Sequence, residues 1–216
     1  MTESSPLPPS DADFTRLRRE NLGTDPLVAF QGWLRYAETN GEMNYPNACT
    51  LATVDPDGKP EGRIVLVKGV DDDSVHFYTN YRSAKARSLQ ATPHAALTFY
   101  WDGLGRQVRI RGGVEPLPDE VSDAYFRTRP RLSRLGAWAS KQSRGLGSRE
   151  VLEERLREMK ERFGDGEIPR PPHWGGYRLV PLEVEFWAAG DHRLHDRFRF
   201  RREAPGEGWV VTRLYP

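Results

Sequence analysis

Among 216 residues there is a single cysteine, Cys49. One thiol cannot close a disulfide within the chain, nor build a cysteine-based metal site. Such usage fits a reducing compartment, so a cytoplasmic location is expected. Long apolar runs are missing too. None approaches the roughly 20 residues of a membrane-spanning helix, so no membrane partner is expected. No basic stretch followed by an apolar one opens the chain, so no secretory signal is expected. Charge of one sign is also absent. With 32 Lys and Arg against 31 Asp and Glu, the net charge is +1. A nucleic-acid binder would carry a clear basic excess, so no nucleic-acid partner is expected. There is no internal repeat. No strand, glycine-rich turn and helix follow one another as in dinucleotide-binding units, so any nucleotide must be held by another device.

What is present reads as one folded unit. The length favours one domain with one main core. Residues 1–15 are rich in Pro, Ser and Asp, and the expected organisation is a flexible tail over 1–20 and a single domain over 21–216. Asp25-Pro26 resembles a helix cap, followed by Leu27, Phe30, Leu34 and Ala37 at helical spacing, and Asn40-Gly41 as a stop. Five β-rich runs then alternate with turns: 48–54, 63–67, 75–79, 95–101 and 107–111. Helices are expected at 83–90, from Pro118 to before Pro130, and over 148–163. A Pro-rich loop leads to four more short strands, at 176–180, 183–188, 197–202 and 208–213. The expected fold is mainly β with flanking α-helices, an antiparallel barrel.

Several segments could carry chemistry, each with an ordinary alternative. Arg63-Ile64-Val65-Leu66-Val67-Lys68 brackets an apolar strand with two cations. Alternation puts positions five apart on opposite faces. Both can meet one ligand only if the strand bulges or Lys68 lies past its end; otherwise they are solvated charges. Tyr78-Thr79-Asn80 leads into Ser83-Ala84-Lys85, where a helix start offers unpaired N–H groups to an anion. The alternative is a plain Ser83 cap. Tyr125, Arg129, Arg131 and Ser133 surround Pro130; two Arg beside hydroxyls lean towards phosphate. Gln107 either reads a heteroaromatic edge or faces solvent. Ser140-Lys141-Gln142-Ser143 reads locally as a surface loop. In His192-Arg193-Leu194-His195-Asp196-Arg197, two His near an Asp are too few ligands, so no metal is expected. His195 could serve acid–base chemistry near neutral pH, or the segment is a polar turn entered through Gly190.

Taken in order, these segments resemble the pyridoxamine 5′-phosphate oxidase family. The likeness runs from about residue 25 to the end. It rests on Arg-Ile-Val-Leu-Val-Lys (63–68), Phe-Tyr-Thr-Asn (77–80), Ser-Ala-Lys (83–85), Arg-Gln-Val (106–108) and Tyr-Phe-Arg-Thr-Arg-Pro-Arg (125–131). It continues through Gly-Ala-Trp-Ala-Ser-Lys-Gln-Ser (136–143), Trp-Gly-Gly-Tyr (174–177), Glu-Phe-Trp (185–187), Arg-Leu-His-Asp-Arg (193–197) and the closing Arg213-Leu214-Tyr215-Pro216. Any one motif is weak; their order and spacing are specific.

The resemblance implies a split antiparallel β-barrel, homodimeric, with FMN at the subunit interface. FMN would be held by Arg63, Ile64, Val65, Leu66, Val67, Lys68, Tyr78, Thr79, Ser83, Lys85 and Gln107 of one chain. Gln142, Ser143, Trp187 and Arg197 would complete that site, some of them from the other chain. Lys68, Tyr125, Arg129 and Ser133 would grip the substrate phosphate. Arg193, Leu194 and His195 would meet the substrate ring, with Arg193 and His195 closest to the chemistry. The implied reaction oxidises the 4′ carbon of pyridoxamine or pyridoxine 5′-phosphate. Hydride passes to the flavin, and dioxygen is reduced to hydrogen peroxide. Alternatives are a split-barrel flavoprotein acting on another substrate, such as a phenazine precursor, and a non-catalytic flavin or pyridoxal phosphate binder. Three departures stand out. Ala84 replaces an Arg common in the family, Tyr45 replaces an acidic residue, and the Arg-Arg-Glu-Tyr stretch that covers substrate in some members has no counterpart.

Overall fold

The computed structural model describes residues 16–216. The expected tail therefore lies outside the described residues as far as residue 15. Its expected end at residue 20 moves forward. Leu17 is 2% exposed and packs in the main core with Leu22, which closes a 3-10 turn over Arg19–Leu22.

Eight strands form one antiparallel sheet among the described residues: β1 (Ala48–Val54), β2 (Pro60–Val70), β3 (Val75–Asn80), β4 (His94–Trp101), β5 (Arg106–Pro116), β6 (Trp174–Ala188), β7 (Asp196–Arg201) and β8 (Val210–Leu214). Their order is β3-β2-β1-β4-β5-β6-β7-β8. An extra β3–β6 pairing closes the first six into a barrel, and β7 and β8 extend the sheet beyond it. The expected mainly-β split barrel is observed.

One expected break is not a break. Segments 176–180 and 183–188 are a single strand, β6. Its first half pairs with β3 and its second with β7, while β5 runs beside both. Pro181 has no N–H, and the β5 register jumps there: Arg111 faces Glu183 but Gly112 faces Pro181, leaving Leu182 as the extra residue of a bulge. A Cβ on Gly112 would lie 1.9 Å from the Val180 carbonyl oxygen, so the bulge requires glycine. The bend lets one strand serve two neighbours and close the barrel.

Helix α1 (Pro26–Asn40) starts as expected, with the Asp25 carboxylate accepting from Leu27 N–H at 2.7 Å. Its buried face is Leu27, Phe30, Trp33 and Ala37. Phe30 meets Phe99 and Trp33 meets Phe186, with ring centroids 4.8 and 5.1 Å apart. The helix thus covers part of the barrel core. Helix α2 (Ala84–Ala91) follows β3.

Helices α3 (Asp119–Thr128), α4 (Arg131–Ala139) and α5 (Arg149–Phe163) build a second apolar cluster. Phe126, Leu135, Ile168 and Trp174 form its centre, with Leu156, Met159 and Phe163 against it. Helix α4 was not expected. Pro130 ends α3 and caps α4, so one proline punctuates two helices. Arg170 ties the Pro-rich loop to α3 through Asp119 and Asp123, both at 2.6 Å.

Candidate functional site

Two groups of side chains stand out, and β6 carries one near each end. The first is a cleft of about 320 Å³ between β2, β3, α2 and α3, reaching Trp174 at the start of β6. Ile64, Leu66 and Lys68 line it from one face of β2, with Val65 beside them. The β2–β3 register slips between Val67 and Gly69, so Lys68 sits at a bulge. The bulge does not bring Arg63 beside it. The Arg63 guanidinium bonds the Thr53 hydroxyl and the Glu61 carboxylate, each at 2.6 Å, and does not line the cleft. It still lies near enough to Lys85 to disfavour that ammonium.

Tyr78 and Thr79 come from the end of β3, and Lys85 from the first turn of α2. Lys85 Nζ donates to Thr79 Oγ1 at 3.3 Å and to Gln142 Oε1 at 3.1 Å. Thr79 also donates to Gln142, at 3.0 Å. Gln142 therefore joins this group from the same chain. Burial, and then the Arg63 charge, lower the Lys85 pKa. Among the described residues no carboxylate forms an ion pair with Lys85.

Tyr125 and Arg129 come from the last turn of α3 and its C-cap. Tyr78 stacks on Tyr125 at 3.9 Å, and Trp174 extends the stack, 5.5 Å from Tyr78. The Arg129 guanidinium lies 4.6 Å over Trp174. Its Nη1 is buried without a hydrogen-bond partner. Burial lowers its pKa and Tyr125 partly offsets this; the aromatic faces of Trp174 and Phe126 meet the charge, but among the described residues no carboxylate pairs with it. Burial also raises the pKa of Tyr125, which the nearby Arg129 partly offsets.

The second group lies across the far end of β6. Gln107, Trp187 and Arg197 are direct partners on β5, β6 and β7, so their side chains form a row on one face. Arg197 donates Nε and Nη2 to Glu185 Oε1, at 3.0 and 2.8 Å, and Nη1 to the Tyr215 carbonyl. The His195 ring packs on Trp187 with centroids 4.6 Å apart. Beside it is a cavity of about 740 Å³ lined by Gly190, Leu194, His195, Asp196, Arg213 and Tyr215, among others. Arg193 and Leu194 are exposed on the β6–β7 loop.

The structure does not bring every expected residue to these groups. The Val67 side chain is in the barrel core, 3% exposed, and both its backbone groups are engaged by Asn47. Ser83 is fully buried and accepts from Ala86 N–H at 3.4 Å, so it is the plain helix cap. Ser133 is exposed on the first turn of α4 and Ser143 is exposed after Gln142; neither lines the cleft. Conversely, in the sequence Trp174 and Glu185 stand out only as members of motifs. The stack and the Arg197 pair give each a definite contact. Among the described residues no group of three or more His, Cys, Asp and Glu could hold a metal, and no helix is long and apolar enough to cross a membrane.

The architecture is that of the FMN-binding split barrels. A pyridoxamine 5′-phosphate oxidase-related, FMN binding protein from Nostoc punctiforme shares it with a TM-score of 0.69, at 21% identity, over 86% of this chain and 96% of that one. PhzG from Burkholderia lata 383, in complex with tetrahydrophenazine-1-carboxylic acid, superposes with a TM-score of 0.84 at 33% identity, covering 96% and 98% of the two chains. Residues 37–163 match the family described as pyridoxamine 5′-phosphate oxidase, and 174–216 match the pyridoxine 5′-phosphate oxidase C-terminal dimerisation region. The chain belongs to the pyridoxamine 5′-phosphate oxidase family. A pyridoxine/pyridoxamine 5′-phosphate oxidase from Azorhizobium caulinodans is 52% identical over 216 residues, all of this chain and 98% of the relative. One from Salinibacter ruber is 53% identical over 201 residues, 93% of each.

Proposed function

We propose that the protein is an FMN-dependent oxidase that converts pyridoxamine and pyridoxine 5′-phosphates to pyridoxal 5′-phosphate, with dioxygen as acceptor and hydrogen peroxide as product. Arg129 carries the reading. A buried guanidinium nitrogen without a partner, beside Lys68 and the Tyr125 hydroxyl, is a standing demand for a bound anion such as a substrate phosphate. Ser133 joins this grip on the family pattern alone.

The residues also fit FMN. Lys85, with Thr79 and Gln142 around it, suits a phosphate, and Tyr78 and the β2 face form the adjoining wall. Gln107, Trp187 and Arg197 offer an amide, a ring and a guanidinium in one row, as a flavin ring requires. Val67, whose side chain faces the core, Ser83, which caps α2, and Ser143 stay in the FMN set on the family pattern alone, and Arg63 acts through the local field. FMN, when bound, supplies the two-electron oxidation of the 4′ carbon and returns the electrons to dioxygen. The chain's part is to clamp the substrate phosphate and present its ring, which makes the transfer effectively intramolecular.

The two groups serve one reaction when two chains combine, in keeping with the C-terminal dimerisation region matched over 174–216. Trp174 and Trp187 lie thirteen residues apart on β6, up to roughly 40 Å of extended strand. A two-fold dimer sets the cleft of one chain against Trp187, Arg197 and the Arg193–His195 loop of its partner, twice over, with Gln107 kept among the residues of the cleft's own chain. Apolar side chains left exposed on one chain, Ile64 at 65%, Tyr100 at 56% and Leu194 at 71%, agree with a surface made to be covered. A cytoplasmic setting belongs to the same reading and rests on cysteine usage.

A phenazine-type substrate is the second reading. A carboxylic acid, like the one in the Burkholderia complex, would bring the Lys68–Tyr125–Arg129 group one negative charge and two oxygens, where a phosphate ester brings nearly two charges and three oxygens to the same cations. The test is to supply FMN and pyridoxamine 5′-phosphate to the purified protein under air. Pyridoxal 5′-phosphate and peroxide should appear in equal amounts. A protein that binds FMN yet leaves both phosphorylated vitamers unchanged would overturn the reading.

A further inference from the structure

The loop between β6 and β7 does more than connect. The Gly190 N–H donates to His195 Nδ1 at 3.2 Å. A nitrogen that accepts carries no proton, so the neutral ring must hold its proton on Nε2. Trp187 packs on the ring and fixes its plane. The adjacent carboxylate is engaged elsewhere: Asp196 pairs with Arg213, and lies 3.9 Å from Arg16. It therefore does not orient the ring as a base.

Gly190 cannot be replaced without moving the loop. Its own backbone is extended, with φ −134° and ψ 155°, so conformational freedom is not the reason. The reason is space. A Cβ there would lie 2.2 Å from the Leu194 carbonyl oxygen and 2.9 Å from its carbon. Both are backbone atoms and cannot rotate aside. The loop returns this tightly because His192 and Arg193 both take the left-handed conformation, with φ of 53° and 64°. Such a pair of non-glycine residues persists only where surroundings impose it. A Leu194 N–H to Asp191 C=O bond of 2.9 Å closes the turn.

We infer that Gly190 is a positioning residue for His195: it locks the imidazole as the Nε2–H tautomer, so His195 serves the oxidation as a hydrogen-bond donor to the substrate ring and not as a base. The inference rests on the proposed oxidase for the identity of the substrate. The tautomer itself does not depend on it.

The test uses the FMN-loaded protein with 15N-labelled histidines. A two-bond 1H–15N spectrum distinguishes the tautomers, and His195→Gln identifies the His195 signals among five histidines. His195 should show a protonated Nε2 and a bare Nδ1. In Gly190→Ala that pattern should give way to mixed tautomers. His195→Gln supplies a second measure, since its amide donates from about the Nε2 position but cannot accept a proton as a base. It should recover kcat by at least about tenfold over His195→Ala, which keeps neither the donor nor a base. A protonated Nδ1 in the wild type, or a His195→Gln no more active than His195→Ala, overturns the inference. Nε2–H in a protein that oxidises neither vitamer would sink the oxidase reading and leave the tautomer lock standing.

Discussion

Arg129 holds a charge that the fold does not need. Its guanidinium is partly desolvated over Trp174, and one nitrogen is buried and unbonded. Arg129→Leu should therefore raise KM for pyridoxamine 5′-phosphate by roughly 10–100-fold, the worth of a charged hydrogen bond of about 1.5–3 kcal/mol. It should change the thermal midpoint little, because loss of the contact over Trp174 is offset by removal of a partly desolvated charge with no carboxylate partner. Steady-state kinetics and a melting curve on the same preparation check both halves; an unchanged KM removes Arg129 from the phosphate site. Lys85 gives a pH dependence. Its pKa is lowered by burial and then by Arg63, so it loses its proton below the ordinary lysine range. Phosphate binding needs the ammonium. FMN affinity should fall as pH rises through that lowered pKa, in a fluorescence titration, and Lys85→Met should flatten the dependence. Which residues of a motif face a ligand was only partly legible in the sequence. Lys68, Tyr78, Thr79, Lys85, Tyr125 and Arg129 gather as expected. The family motif covers the whole run Arg63 to Lys68, although alternation sends the Val67 side chain into the core. Ser83 looked the same as cap or ligand, because a helix start uses one hydroxyl for either purpose.

At the scale of elements, punctuation decided what could be read. Asp25-Pro26 marked α1 correctly because cap and first-turn proline act locally. Pro181 looked like a strand end, yet the strand continues because β5 absorbs the proline with a bulge at Gly112. That compensation comes from a neighbour about 70 residues earlier, which local pattern cannot register. Helix α4 was hidden for a related reason: it is short, and only Leu135 and Ala139 are buried. The bulge is testable. Gly112→Ala should destabilise the protein by about 2 kcal/mol or more, since the new Cβ meets backbone and not a movable side chain. Urea unfolding monitored by tryptophan fluorescence would measure it. Stability equal to wild type would mean that β6 can shift at Val180 without cost.

For the whole molecule, one chain carries two candidate groups at opposite ends of one strand, and the proposed oxidase needs both. The sequence placed these residues in one list by family pattern, but nothing local tells which chain each serves. Subunit exchange addresses that directly. Arg129→Leu disables the cleft and Arg193→Leu disables the loop, so each homodimer should be strongly impaired at low substrate concentration. A mixed dimer has one site with both halves intact and one with both altered. After random exchange of equal amounts, oxidation of pyridoxamine 5′-phosphate should recover to roughly a quarter of the wild-type rate. Each variant alone should stay near its own baseline. Recovery of that size supports an FMN oxidase whose every site spans two subunits, while a mixture no more active than the average of its two parents contradicts it.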